Sequence, residues 1–414
     1  MIIMHYFSII AATVALLAGG ASCDRISPDG KDDNPRKTVE LSSRSSEFVN
    51  QGKSFTYNYI DRINADSKKD YVVSPLSMQF LLGMILNGAQ AETAEQISKV
   101  LGYGAGETDA VNEYCYAMLR QLPNLDKKTS LALANAIFVD EGYPLKKAYK
   151  TSVGKFYNAE IANLDFRNTI PSTKAINDWC SKNTNGLIPS IIDEVSPDML
   201  AYLLNALYFK SQWKDKFDKS ATADETFTNE SGVKGKVKMM KREKECAYGK
   251  ADLFQAVRIP YGNGAFSMTV LLPRSGVKVA DISAALAKSN GAILDGIFHS
   301  CDVDLWLPKF ETTFRIKLND ILSDMGMPLA FQKSADFKAM SEYALCLSFV
   351  QQDAVIKVDE EGTEAAAISS AGMMKATAVG PQQSVVFHAD HPFLYLITEN
   401  STGAVLFAGR YSGK

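Results

Sequence analysis

The sequence predicts an α+β domain built around large sheets, and three observations carry that reading. Apolar residues at helical spacing concentrate early in the chain. Short apolar or alternating runs dominate later, and no Pro/Gly/Ser-rich linker interrupts the chain after residue 50. With 414 residues, 46% of them hydrophobic and 22% charged, the chain has the balance of a globular protein with one large core. Disorder and a membrane protein both fit that balance poorly.

The first residues differ in kind. An almost wholly apolar run from Ser8 to Ala18 precedes Gly19-Gly20-Ala21-Ser22-Cys23. A short apolar core followed by small residues predicts a cleavable export signal over 1–22, too short to span a bilayer. Cys23 sits where a bacterial lipoprotein is cut and lipidated, although Gly20 stands where a larger apolar residue is usual. Residues 23–47 are polar and charged, with Pro28, Asp29-Gly30 and Asn34-Pro35, and predict a tether ahead of a domain over 48–414. The expectation is an exported protein, lipid-anchored at the outer membrane or surface of a Gram-negative cell, with simple secretion as the alternative.

Ser74-Pro75 predicts a helix start, because Ser can cap free backbone donors and Pro lacks only an N–H that is not needed there. Met78, Leu81, Leu82 and Ile85 follow at helical spacing and predict one buried face. Thr93 with Gln96 predicts a capping box for a helix ending at Leu101-Gly102. Strands are predicted at Leu131–Val139, Leu200–Phe209, Phe266–Leu272, Val303–Leu307, Leu345–Val350 and Val355–Val358. Ser384–Phe387, Phe393–Thr398 and Val405–Ala408 continue them, with a helix predicted over Phe314–Met325.

A net charge of −3 gives no reason to expect nucleic-acid binding. The basic stretch Lys234–Lys250, broken by Glu243 and Glu245, reads as a solvated strand-loop-strand face. Val111 to Lys128 holds only Arg120, Lys127 and Lys128, which argues against a glycosaminoglycan-binding helix. Beyond Cys23, the scattered Cys115, Cys180, Cys246, Cys301 and Cys346 show no metal-ligand spacing and predict unpaired thiols. His299, His388 and His391 are accompanied by no GxSxG or HExxH motif, so neither an enzyme nor a metal or other cofactor is expected.

The informative stretch runs from Val358 to Gly380. Between Ala365 and Phe387 its only formal charge is Lys375, where an ordinary exposed loop would carry more charge and more turn residues. Read with period two, Thr363, Ala365, Ala367, Ser369, Ala371 and Met373 share one face, and all but Met373 are small. That suits a strand whose inner face must slide into a packed sheet. Local propensity alone would favour a buried Ala-rich helix.

Glu360-Glu361-Gly362-Thr363-Glu364-Ala365-Ala366-Ala367 resembles the hinge of inhibitory serpins, and Phe387-His388-Ala389-Asp390-His391-Pro392-Phe393 resembles the signature that follows their reactive loop. Similar family segments occur in order at Ser74-Pro75-Leu76-Ser77, at Asn177-Asp178-Trp179 with Thr184–Ile188, at Asn205–Lys210 followed by Trp213, and at Leu307-Pro308-Lys309-Phe310. The resemblance spans about residues 48 to 411. It implies three β-sheets, about nine helices and an exposed reactive-centre loop. It also implies a monomeric inhibitor of serine endopeptidases, with cysteine endopeptidases as a further class. A target would cleave the loop, which then inserts into the main sheet and holds the protease as a distorted acyl-enzyme.

By that resemblance, Ser74, Ser77, Asn205, Trp213 and Gln352 support sheet opening. Gln352 replaces the family's usual histidine, and an amide can still donate to and accept from the serines beneath the sheet. Counting seventeen residues from Glu360, itself included, puts the scissile bond between Ala376 and Thr377, with Lys375 and Met374 as neighbouring alternatives. These would suit elastase-like, trypsin-like and chymotrypsin-like proteases respectively. Two rivals are a non-inhibitory serpin acting as carrier or chaperone and a surface glycan-binding lipoprotein. The small hinge residues argue against the first, and only three tryptophans argue against the second.

Overall fold

The Ser42 hydroxyl accepts the Ser45 N–H at 3.1 Å and starts α1 (Ser43–Asp66), whose Phe48, Phe55, Tyr59 and Ile63 recur at helical spacing and are buried. The computed structural model describes residues 33–67, 69–363 and 384–413, and the main compact unit begins at Arg36. The folded unit therefore takes in residues 36–47, ahead of the start expected at residue 48. Val39 is buried, its N–H donates to Ser401 Oγ at 3.0 Å, and the Glu40 N–H donates to Gln121 Oε1 at 2.8 Å. Cys23 lies outside the described residues.

Seven further helices follow: α2 (Pro75–Leu86), α3 (Ala91–Leu101), α4 (Thr108–Gln121), α5 (Lys147–Tyr157), α6 (Thr169–Asn183), α7 (Val279–Ser289) and α8 (Asn319–Met325). Ser74 caps α2 as expected, accepting the Ser77 N–H at 3.2 Å, but every residue of α2 is buried and not one face alone. It is a core helix, which explains why its sequence is apolar almost throughout. Helix α3 begins two residues before the expected Thr93. Thr93 and Gln96 do not form a capping box: Thr93 Oγ1 accepts the Asp336 N–H and Gln96 Oε1 accepts the Leu329 N–H. Its end is as expected, with Gly102 left-handed at φ 82°.

The strands are β1 (Tyr71–Val73), β2 (Thr129–Asp140), β3 (Glu160–Leu164), β4 (Ala201–Gln212), β5 (Ala223–Thr228), β6 (Lys234–Lys250), β7 (Phe254–Pro260) and β8 (Phe266–Pro273). They continue with β9 (Phe298–Pro308), β10 (Phe310–Lys317), β11 (Gln351–Val358), β12 (Gly362–Thr363), β13 (Val385–His388), β14 (Phe393–Glu399) and β15 (Val405–Tyr411). One sheet has the order β10-β11-β12-β4-β2-β3. The other strands form a nine-stranded network, β1-β15-β14-β8-β7-β6-β9-β13 with β5 on β6. Two of the three expected sheets merge because β6 is 17 residues long. Its first part pairs with β5, its last part with β7, and most of its length with β9.

Three expected elements differ. Lys234–Lys250 is this single strand and not strand-loop-strand, paired along its length with β5, β9 and β7. Phe314–Lys317 belongs to β10, antiparallel to β11, so the predicted helix shrinks to α8. Residues 344–350 form no strand: the Leu347 N–H donates to Ala330 O, and the Val350 N–H donates to Asn319 Oδ1.

Where α6 covers it, the six-stranded sheet is buried on both faces, and the period of two sorts its residues. Ile137, Val139 and Leu203 join the main core, shared with α1, α2 and the nine-stranded network. Ala136, Phe138, Tyr202 and Leu204 face a second core under α6, where Trp179 meets Phe138 edge-on at 5.9 Å. Asn177 supports that layer by accepting the Ile191 and Ile192 N–H groups at 2.9 and 3.1 Å.

Candidate functional site

Strand β11 ends at Val358, the chain turns through Asp359-Glu360-Glu361, and β12 lies antiparallel to both neighbours. Thr363 pairs with Val358 on one side and Ser211 on the other, and Gly362 pairs with Gln212. Asp359 closes the turn: its N–H donates to Gly362 O at 2.9 Å, and its Oδ1 accepts the Glu361 and Gly362 N–H groups at 2.9 and 3.2 Å. Only glycine fits at 362, because a Cβ there would stand 2.0 Å from Ser211 O. Thr363 is 1% exposed, and its hydroxyl lies 2.6 Å from the Tyr261 hydroxyl.

The turn is held from outside by the segment that follows β4. The Trp213 indole N–H donates to Asp359 O at 2.8 Å, the Trp213 N–H to Glu361 O at 2.8 Å, and the Phe217 N–H to Glu360 O at 3.0 Å. Three consecutive carbonyls are thus satisfied by one short segment, which keeps a buried turn free of polar penalties. The Trp213 ring stacks on Tyr261 at 4.4 Å with an interplanar angle of 11°. Glu360, though buried, has Lys309 Nζ and Thr222 Oγ1 at 2.9 Å each. Glu361 pairs with Lys216 and, at 3.0 Å, with Lys219. Burial pushes the Glu360 carboxyl up, but the bonds from Lys309 and Thr222 outweigh it and hold the group below the usual carboxylate range. The Lys216 bond, followed by that of Lys219, lowers Glu361.

Beneath the sheet, Gln352 makes three bonds. Its Oε1 accepts the Ser74 N–H at 2.9 Å and the Tyr59 hydroxyl at 3.1 Å, and its Nε2 donates to Ser74 O at 3.1 Å. Gln352 therefore reaches Ser74 through its backbone and not its hydroxyl. The Ser74 hydroxyl is committed to capping α2, and buried Ser77 Oγ has no partner. An amide offers its acceptor and donor side by side, which matches the N–H and C=O of one residue. Asn205 does not join this group among the described residues; its Nδ2 donates to Asn135 Oδ1 at 2.8 Å, across the β4–β2 pair.

The structure therefore brings Glu360, Gly362, Thr363 and Trp213 together at one end of the six-stranded sheet. Ser74, Ser77 and Gln352 lie beneath the sheet. Ala365, Ala366, Ala367, Met374, Lys375, Ala376 and Thr377 fall outside the described residues. The sequence reading missed Tyr261, Phe217, Lys216, Lys219, Lys309 and Tyr59. Pro260-Tyr261-Gly262 read only as punctuation, and Lys309 was visible inside a family segment without a role. His388 stacks on Trp306 at 3.9 Å with Nε2 2.7 Å from Asp304 Oδ2, and His391 bridges Asp390 and Pro273 O. No metal-binding cluster occurs among the described residues. Cys115, Cys180, Cys246, Cys301 and Cys346 are free.

This arrangement has relatives. A family model described as serpin (serine protease inhibitor) matches residues 50–413. A serpin-like protein of Thermococcus kodakarensis is 32% identical over 87% of this chain and 84% of its own length. The native-state structure of tengpin, a thermophilic serpin, superposes with a TM-score of 0.82 at 28% identity, covering 92% of this chain and 97% of tengpin. Human thyroxine-binding globulin, solved in complex with thyroxine, superposes with a TM-score of 0.80 at 25% identity, covering 89% of this chain and 98% of the globulin. The chain belongs to the serpin family, whose general function is protease inhibition and not catalysis.

Proposed function

We propose that the protein inhibits serine endopeptidases, and cysteine endopeptidases as a further class, as a one-use substrate. The observation that carries this is β12: Gly362 and Thr363 already stand as the first rungs of a strand between β11 and β4, antiparallel to both. Cleavage after Ala376, or at the adjacent Lys375 or Met374, frees the chain to extend that strand. Ala365 and Ala367, on the same face as Thr363, follow it into the sheet while the protease is still acylated. Insertion adds roughly a dozen ladder hydrogen bonds at about 0.5–1.5 kcal/mol net each, on the order of 10 kcal/mol in all. The uncleaved fold is accordingly held kinetically. Elastase-like, trypsin-like and chymotrypsin-like enzymes are the expected partners of a monomer.

The test is incubation with a protease panel. Denaturant-resistant complexes and a released C-terminal fragment beginning near Thr377 are expected, and cleavage without complexes would support the carrier reading that the globulin's likeness suggests. Export and lipidation at Cys23, at the surface of a Gram-negative cell, belong to the same proposal. Cys23→Ala should move the protein from the detergent phase to the aqueous phase, and native protein with an unmodified N-terminus beyond Cys23 would refute it.

A further inference from the structure

A cleft of about 720 Å³ opens between the segment after Trp213, the second half of β6, and β7 with its following turn. Its charge is unbalanced: Arg36, Lys214, Arg242, Lys244 and Arg258 line it against Asp215 and Glu245. Both acids are engaged, Asp215 with Lys244 at 3.1 Å and Glu245 with the Ser300 hydroxyl at 2.6 Å. Arg242 donates to Asp215 O and lies over the Phe217 ring at 4.7 Å. Among the described residues, Arg36, Lys214 and Arg258 have no anionic partner. Arg258 is the telling case, because its guanidinium covers the Phe298 ring at 4.2 Å while its buried Nε has no hydrogen-bond partner. Burial lowers the pKa of Arg258 from the ordinary arginine range. A multivalent anion in the cleft would supply the counter-charge that Arg36, Lys214 and Arg258 lack among the described residues.

We infer that this cleft binds a small multivalent oxyanion, a phosphate- or carboxylate-bearing molecule held between Arg258, Arg36 and Lys214. The volume is that of a small-molecule site. Planar guanidinium groups flanking one ammonium suit a ligand with two or more oxyanion groups, which they can grip bidentately. The site is separate from the hinge yet shares its support, because Lys214 directly follows Trp213 and its N–H donates to Pro260 O at 2.9 Å. An anion bridging Lys214 to Arg258 would tie the segment that holds the hinge carbonyls to β7.

Titration calorimetry on the full chain at 0.15 M salt, with pyrophosphate and citrate as probes, tests this independently of protease inhibition. Saturable one-to-one binding of at least one probe is expected, and the tighter one assigns phosphate or carboxylate chemistry. Hydrogen exchange should slow in residues 213–217 and 256–260 on binding. Arg258→Gln should weaken binding at least about tenfold, as loss of a charge-assisted bond requires. Since that side chain also packs on Phe298, the surface pair Arg36→Gln with Lys214→Gln serves as a second variant, with an unchanged Tm and a similar loss. No saturable binding of either probe, protection mapping elsewhere, or equal affinity in folded variants would overturn the site.

Discussion

The two ends of the reactive loop are anchored in opposite ways. At the hinge, Thr363 is paired on both sides and Gly362 with Gln212, and the preceding carbonyls are captured by Trp213 and Phe217. At the far end, among the described residues β13 pairs only with β9, in parallel, at the edge of the nine-stranded network, and Val386 is 57% exposed. Its support is a layered stack in which Lys241 lies 3.9 Å over the Trp306 ring and His388 stacks on Trp306. An edge strand with one ladder is far easier to remove than a strand between two. On the proposed mechanism, the hinge is thus committed to the sheet before cleavage, while the other end stays replaceable.

The largest effect should come from breaking the hinge anchor. Trp213→Ala removes the Tyr261 stack, the bond to Asp359 O and a buried aromatic, a loss of about 3–5 kcal/mol. The uncleaved form should melt markedly lower by calorimetry, and a Tm within a degree of wild type would show that the anchor carries little. Thr363→Arg comes next. An unpaired charge at a position 1% exposed carries an effective penalty of several kcal/mol. Insertion should slow, so a protease that forms complexes with wild type should cleave this variant as a plain substrate. Full complex formation would remove Thr363 from the inserting face.

His388→Ala sharpens the other side of the comparison. Losing one stack and one hydrogen bond at the edge should cost about 1 kcal/mol, visible as faster amide exchange in β13 and no change at the hinge.

The smallest effect is one of pH, and its sign differs between the two ends. Glu360 and Glu361 are lowered in the fold, so their contribution is complete above the unfolded carboxylate range and is lost as pH falls through the folded values. Burial pushes His391 down, but its bonds to Asp390 and Pro273 O outweigh this and leave it raised. Its contribution is complete below its unfolded pKa near 6.5 and is lost as pH rises through the folded value. Amide exchange should therefore quicken at the hinge in acid and around residues 390–393 in mild base; one shared pH profile at both ends would contradict this.

Much is legible in the amino-acid sequence alone. Runs such as Phe266–Leu272 and Val405–Ala408 fall on real strands because short, strongly apolar segments have few other solutions. The small face that Thr363 shares with Ala365 and Ala367 points to the hinge, since a strand that must slide into a packed sheet leaves that pattern in the residues themselves. Tertiary context decides the rest. Phe314–Lys317 looks helical until pairing with β11 imposes a period of two, and the Leu345–Val350 run buries its apolar residues without a ladder. Thr93 and Gln96 have the spacing of a cap, yet a distant segment offers them backbone N–H groups. Tyr261, Phe217, Lys216 and Tyr59 carry no local signal, because their roles exist only where chain segments far apart in sequence meet. Local propensity and periodicity reach a few residues along the chain, whereas the bonds that hold the hinge span intervals such as Trp213 to Asp359.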